Sequence, residues 1–212
     1  MERPLGVGIE QIQSLLVKMG NISVDAISMA LKGFHVQEDV HVQICAWSNT
    51  LLILSEEVED RATEMMALHQ PMAGDLRTLK ASIKVAYDME RFGRYAHDIS
   101  NIIHHIDRWE PYNYRDISVR EMGEKVVEVV KLAVRIIETR DQSLVWRLSE
   151  AEAEIDEIYL KNLKNLGDSE ANPKTVIANL LTIRYLERIA DHASYVAESI
   201  SYAETGKRII IR

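Results

Sequence analysis

The stretch Arg184-Tyr185-Leu186-Glu187-Arg188-Ile189-Ala190-Asp191-His192 decides how this chain is read. On a helix of 3.6 residues per turn, Glu187 and Asp191 sit one turn apart on one face, whereas His192 is rotated about 100° from Asp191. Two like charges so placed repel by a few tenths of a kcal/mol on a solvated helix, and by more when buried. The pair therefore calls for a cation. Either a metal supplies it, or the neighbouring Arg184 and Arg188 do.

The same stretch has a copy. Met89-Glu90-Arg91-Phe92-Gly93-Arg94-Tyr95-Ala96 lines up with Leu186-Glu187-Arg188-Ile189-Ala190-Asp191-His192-Ala193 at an offset of 97 residues, and Val58-Glu59 meets Ile155-Asp156 at that same offset. Lys18-Met19-Gly20 and Ala30-Leu31-Lys32 match Glu121-Met122-Gly123 and Ala133-Val134-Arg135 at an offset of 103. Self-similarity of this kind marks an internal duplication, with a longer connection after the first helix of the first copy. Pro71 and Pro173 fall outside the register and are similar devices at unrelated positions.

Periodicity fills in the elements. Ile12, Leu15, Leu16, Met19, Ile22, Ala26, Ile27, Ala30 and Leu31 make a helical stripe over about 9–33, interrupted but not ended by Gly20. A second helix is expected from near Val36 to His69, where Gln70-Pro71 stops it. A third opens at Gly74 or Asp75 and runs to about Ile106. After the linker Trp109–Tyr114, the Ser118-x-x-Glu121 capping box starts a fourth helix ending near Thr139. Asp141 caps a fifth that ends at Gly167, and Asn172-Pro173 starts a sixth that ends at Thr205-Gly206. At 1.5 Å per residue the longer helices reach on the order of 45 Å. The expected fold is all-α, two tandem three-helix bundles: residues 1–108 and residues 109–212.

Composition agrees with a globular protein: 47% hydrophobic and 27% charged residues, with only four prolines and nine glycines. A net charge of −8 argues against general nucleic-acid binding, which needs a basic face. The single cysteine, Cys45, cannot form an internal disulfide and suits a reducing compartment. It reads as a small core residue. No run of eighteen apolar residues and no secretory leader are evident, so a cytoplasmic protein without direct membrane insertion is expected.

If the fifth and sixth helices pack antiparallel, Asp156 faces Glu187 and Asp191 across one groove. Such oxygen donors suit Mg²⁺, Ca²⁺ or Mn²⁺, and carboxylate clusters also hold iron. The competing reading is a set of surface acids paired with Arg184 and Arg188. In the first copy, Arg94 stands where Asp191 stands in the second and can pair with Glu90. A site on Glu59 and Glu90 is then weaker or metal-free unless Asp60 or Asp98 supplies the missing ligand. His97, His104 and His105 are expected to meet the C-terminal carbonyls of the third helix. Glu38-x-x-His41 stands alone, and a di-iron bundle oxidase needs two such motifs, so that alternative is the weaker one. The methionines and the three tryptophans read as core or packing between the halves. No catalytic motif is present, and the chain does not read as an enzyme.

Residues 186–193 closely resemble the Leu-Glu-Arg-Ile-Gly-Asp-His-Ala signature of the PhoU family, and His69-Gln70-Pro71 followed by Asp75-Leu76-Arg77 resembles that family's Gln-Pro…Asp-Leu-Arg turn. The resemblance spans nearly the whole chain, with the first copy of the signature degraded. It implies a homodimeric cytoplasmic regulator of phosphate uptake, coupling the ATPase subunit of a phosphate ABC transporter to a phosphate-sensing histidine kinase. It also implies metal clusters of iron or other divalent ions (Mg, Mn, Ca or Zn). Carried over by position, their ligands are Glu187, Asp191 and Asp156 in the second half and Glu59 and Glu90 in the first, with Arg94 departing from the pattern. A third class, a purely structural dimerisation module, would bind no metal.

Overall fold

A computed structural model describes residues 4–106, 109 and 118–211, and among them six helices carry the fold. They are α1 (Pro4–Val36), α2 (His41–His69), α3 (Gly74–His105), α4 (Val119–Thr139), α5 (Gln142–Gly167) and α6 (Pro173–Thr205). The caps read from sequence are in place. Ser118 Oγ accepts from Glu121 N at 3.0 Å, Asp141 Oδ1 from Ser143 N at 2.8 Å, and Asn172 Oδ1 from Thr175 N at 3.0 Å. Each satisfies one of the first-turn N–H groups that a helix leaves unpaired.

The packing is a ring of four helices with two outriders. Helices α1, α3, α6 and α4 contact one another in that cyclic order; α2 packs on α1 and α3, and α5 on α4 and α6. The first three helices thus form one three-helix unit and the last three another, joined through α1–α4 and α3–α6 into one continuous apolar core.

Two pairs of contacts carry the duplication into three dimensions. A Cβ on Gly20 would collide with the branched side chain of Val134, and a Cβ on Gly123 would lie 2.8 Å from Leu31. Gly20 corresponds to Gly123 and Leu31 to Val134, so these are one contact seen twice, where α1 and α4 approach closely. At the α3–α6 seam, Asp88 contacts His192 and Tyr95 stacks on Tyr185 at 6.1 Å. An offset of 97 turns one pair into the other. The two halves are related by an approximate two-fold axis.

Several expectations need correction. Helix α1 runs to Val36 and α2 starts at His41, with the chain reversing through Gln37 at φ 54°. Gly33 does not end α1; it is buried inside it, because a Cβ there would meet Val40 at 2.7 Å and the Glu38 carbonyl at 2.9 Å. Gly167 ends α5 without a left-handed backbone; Gly206, at φ 72°, is the one glycine in that region among the described residues. The aromatic linker lies largely outside the described residues, but Trp109 is buried and stacks on Phe34 at 5.3 Å. Trp146 and Met72 are not core residues: both are solvent-exposed. Helix α1 is also, among the described helices, the one long and apolar enough to cross a membrane, yet nearly half of that stretch is buried against its neighbours. Its apolar face is spent on the core.

Candidate functional site

Helices α5 and α6 present four acids to each other. Asp156 on α5 and Glu187 and Asp191 on α6, the three expected from sequence, interact electrostatically in the structure. They are joined by Glu152, one turn before Asp156. Sequence reasoning passed over Glu152, although Glu152-x-x-x-Asp156 has the same spacing as Glu187-x-x-x-Asp191 and was a readable signal.

Glu152 is the most strained of the four. It is 4% exposed, and its Oε2 has no hydrogen-bond partner. Burial first, then the charges of Asp156, Asp191, Glu187 and Glu198, push its carboxyl up to about 7. Burial and Asp191 raise Asp156 and Glu187 as well. All three shifts come first from burial and then from the neighbouring carboxylates, whose charge the surroundings do not fully compensate.

The compensation that exists is arginine. Arg184 Nη1 lies 2.7 Å from Glu187 Oε2, and Arg188 Nη1 lies 2.8 Å from Asp191 Oδ2. Both pairs are partly solvated and so weak. The carboxylate oxygens do not close into a ligand shell: among the described residues, only one trio of potential metal donors brings its atoms within 4.8 Å of one another, and that trio lies elsewhere. A hard cation fits the donor chemistry, since oxygen atoms, an orphaned buried carboxylate oxygen and unbalanced charge coincide.

The equivalent positions of the first half are Ser55, Glu59, Glu90 and Arg94. Two of four acids are gone. Glu90 is buried and accepts from Arg94 at 2.9 Å and 3.1 Å, while Glu59 is exposed. Asp98 is half-buried and its carboxyl is raised by burial, and Asp60 is exposed; neither belongs to a converging set of donors.

His192 is no ligand candidate. It is buried at the seam, its Nδ1 2.8 Å from Asp88 Oδ1, amid Tyr87, Tyr95 and Tyr195. Of the three histidines expected to meet α3 carbonyls, His97 and His104 depart from that expectation. Only His105 meets a helix carbonyl, that of Asn101 at 2.9 Å. His104 pairs with Asp39 at 2.8 Å, and His97 lies beside His41 and Cys45 instead. Cys45 is accordingly not a core residue but a half-buried one.

The fold and groove define a class, that of all-α proteins built from two three-helix units, with acids of α5 and α6 converging in the second. The PhoU-domain family model matches residues 16–103 and 119–200, and the chain belongs to the PhoU family. It is 26% identical over 211 residues to a protein of Clostridium acetobutylicum described as a phosphate-specific transport system accessory protein PhoU homolog, covering 95% of this chain and 94% of that one. A Synechocystis protein of the same description is 24% identical, covering 94% and 91%. Crystal structures of PhoU from Streptococcus pneumoniae and Pseudomonas aeruginosa superpose with TM-scores of 0.87 and 0.88 at 18% and 23% identity. They cover 97% and 95% of this chain and 99% of each of those chains.

Proposed function

We propose that this chain is a non-enzymatic cytoplasmic regulator of phosphate uptake. In this reading it docks, as a homodimer, on the ATPase subunit of a phosphate ABC transporter and on a phosphate-sensing histidine kinase. The observation that carries the reading is the family match in both halves, together with relatives described as accessory proteins of a phosphate-specific transport system. The all-α surface offers long helical faces for docking. The test is direct. Purified chain should bind the cognate ATPase or kinase, and its deletion should derepress phosphate uptake; failure of both removes the proposal.

The α5–α6 groove adds a metal to this picture. Glu187, Asp191 and Asp156, with Glu152 beside them, would hold a divalent ion or a small cluster of iron or Mg, Mn, Ca or Zn, and the orphaned Glu152 carboxylate supports it. A bound cation would offset the burial and the mutual repulsion that raise the carboxyls of Glu152, Asp156 and Glu187, without any redox step being required. Glu59 and Glu90 would form at most a weaker first-half site. Metal analysis of protein purified without an affinity metal, wild type against Glu187→Ala/Asp191→Ala, tests this; equal metal content in the two would remove it.

A further inference from the structure

At the far end of the first unit, where α2 begins and α3 ends, three side chains outside the acidic groove converge. One donor atom from each of His41, Cys45 and His97 lies within 4.8 Å of the others. His41 and Cys45 are one turn apart on α2, and His97 reaches them from α3. We propose that His41, Cys45 and His97 form a nitrogen- and sulfur-donor metal site for a divalent cation of the Zn²⁺ class, with the fourth position left to water.

The surrounding groups are those such a site needs. His97 Nε2 is buried without a hydrogen-bond partner, which leaves a nitrogen desolvated and unused. Ser100 Oγ donates to the His97 carbonyl at 2.7 Å and lies 3.4 Å from His41 Nδ1. With its proton committed to that carbonyl, Ser100 can only accept from His41. The His41 proton is thereby placed on Nδ1, and Nε2 keeps a free lone pair. Asn49 Nδ2 donates to Cys45 Sγ at 3.8 Å from one turn further along α2, which fixes the position of the sulfur. Asp39 accepts from His41 N at 2.9 Å and pairs with His104, whose ring stacks on His41 at 4.9 Å. The first turn of α2 is thus held in place before any metal arrives.

The donor set chooses the metal. Two imidazoles and one thiolate suit Zn²⁺ and its late transition-metal neighbours and disfavour Mg²⁺ and Ca²⁺, which take oxygen. Three protein ligands and an open position give the tetrahedral geometry Zn²⁺ prefers. The second half has no counterpart. At an offset of 97, Cys45 corresponds to Gln142 and His97 to Ser194, and the turn His41–Ile44 precedes the equivalent of the start of α5. Only His41 thus lies before the equivalent of the start of α5, while Cys45 and His97 stand where the second half carries Gln142 and Ser194, and the site does not depend on the acidic groove.

Because Cys45 is the only cysteine in the chain, its alkylation in chelator-stripped protein reports on the site without any mutation. Equimolar Zn²⁺ should slow that alkylation by about tenfold or more, because coordinated sulfur is a poorer nucleophile than free thiolate. Mg²⁺ should leave the rate unchanged. Co²⁺ should give a thiolate-to-cobalt charge-transfer band that Cys45→Ser abolishes, and His97→Gln should weaken Zn²⁺ binding by at least about 100-fold. Glu187→Ala/Asp191→Ala should keep the full protection, which separates this site from the groove. Unprotected Cys45 in the wild type, equal protection by Mg²⁺, a charge-transfer band that survives Cys45→Ser, or protection lost with the groove double variant would each overturn the proposal. Should His97→Gln fail to fold by circular dichroism, the wild-type alkylation and Co²⁺ spectra decide alone.

Discussion

The two halves share a backbone and diverge in how they handle charge. On α5 and α6, Glu152, Asp156, Glu187 and Asp191 keep four acids at positions where α2 and α3 carry Ser55, Glu59, Glu90 and Arg94. At the seam, Asp88–His192 is a buried polar pair, and its two-fold mate is the stacked Tyr95–Tyr185. The core contacts that set the fold, Gly20 against Val134 and Gly123 against Leu31, remain alike in kind. Duplication has preserved packing, which is intolerant of change, and let electrostatics drift apart. One copy could then neutralise itself with Arg94 while the other stayed charged.

The largest difference should appear at the seam. Asp88 is 2% exposed, so Asp88→Ala strips a buried histidine of its partner and opens a small cavity, a loss of about 3 kcal/mol in chemical denaturation. Tyr185→Phe, at the equivalent position, should change stability by less than about 0.5 kcal/mol. Equal losses at the two positions would mean that the polar pair has no special weight. Next comes metal affinity. Glu187→Ala/Asp191→Ala should lower it by at least about 100-fold, and Glu59→Ala/Glu90→Ala by no more than about twofold, as read by calorimetric titration.

Most of this asymmetry was legible in the sequence, because helix periodicity and the two offsets fix which residues share a face. Six helices, their side-chain caps and the degraded Glu90/Arg94 copy follow from pattern alone. What did not follow depends on three-dimensional approach. The extent of α1 was hidden because Gly33 looks like a stop, yet it is glycine so that Val40 and the Glu38 carbonyl can pack against it. Cys45 and His97 are distant in sequence and became neighbours only through α2–α3 packing. Glu152 was missed for a simpler reason: its spacing to Asp156 was visible, but only burial singles it out from the other acids of α5.

That burial makes Glu152 sensitive to pH. Its folded-state carboxyl titrates near 7, above the ordinary 4.5, so the native state binds the proton more tightly than the unfolded one. Metal-free protein should therefore lose stability as pH rises from about 4.5 to about 7 and keep that loss above it. Glu152→Gln removes the penalty and should be more stable than wild type by on the order of 2 kcal/mol at pH 8, with the advantage vanishing below pH 4.5. Thermal denaturation in chelator across that range measures it. The corresponding residue in the first half, Ser55, has no carboxyl, so Ser55→Gln should show no such pH dependence.

The smallest effects separate the halves by sign. Arg94 and Arg184 each pair with a glutamate on their own helix, at 2.9 Å and 2.7 Å, and each is about half-exposed. Removing Arg184 should cost a few tenths of a kcal/mol of stability, and removing Arg94 about 1 kcal/mol, because it leaves the buried Glu90 without its partner. Their effect on metal should differ. Arg184→Ala leaves Glu187 among Glu152, Asp156 and Asp191 with one competing cation fewer, so affinity at the groove should rise by roughly two- to fivefold. Arg94→Ala frees Glu90 in a place where the second pair of acids is absent, so no site should appear. A rise in metal binding with Arg94→Ala would show that arginine alone had been holding the first copy silent. No rise would locate the lesion in the missing carboxylates as well, and Ser55→Glu/Arg94→Asp, which restores both, is then the change that should bring metal back to the first half.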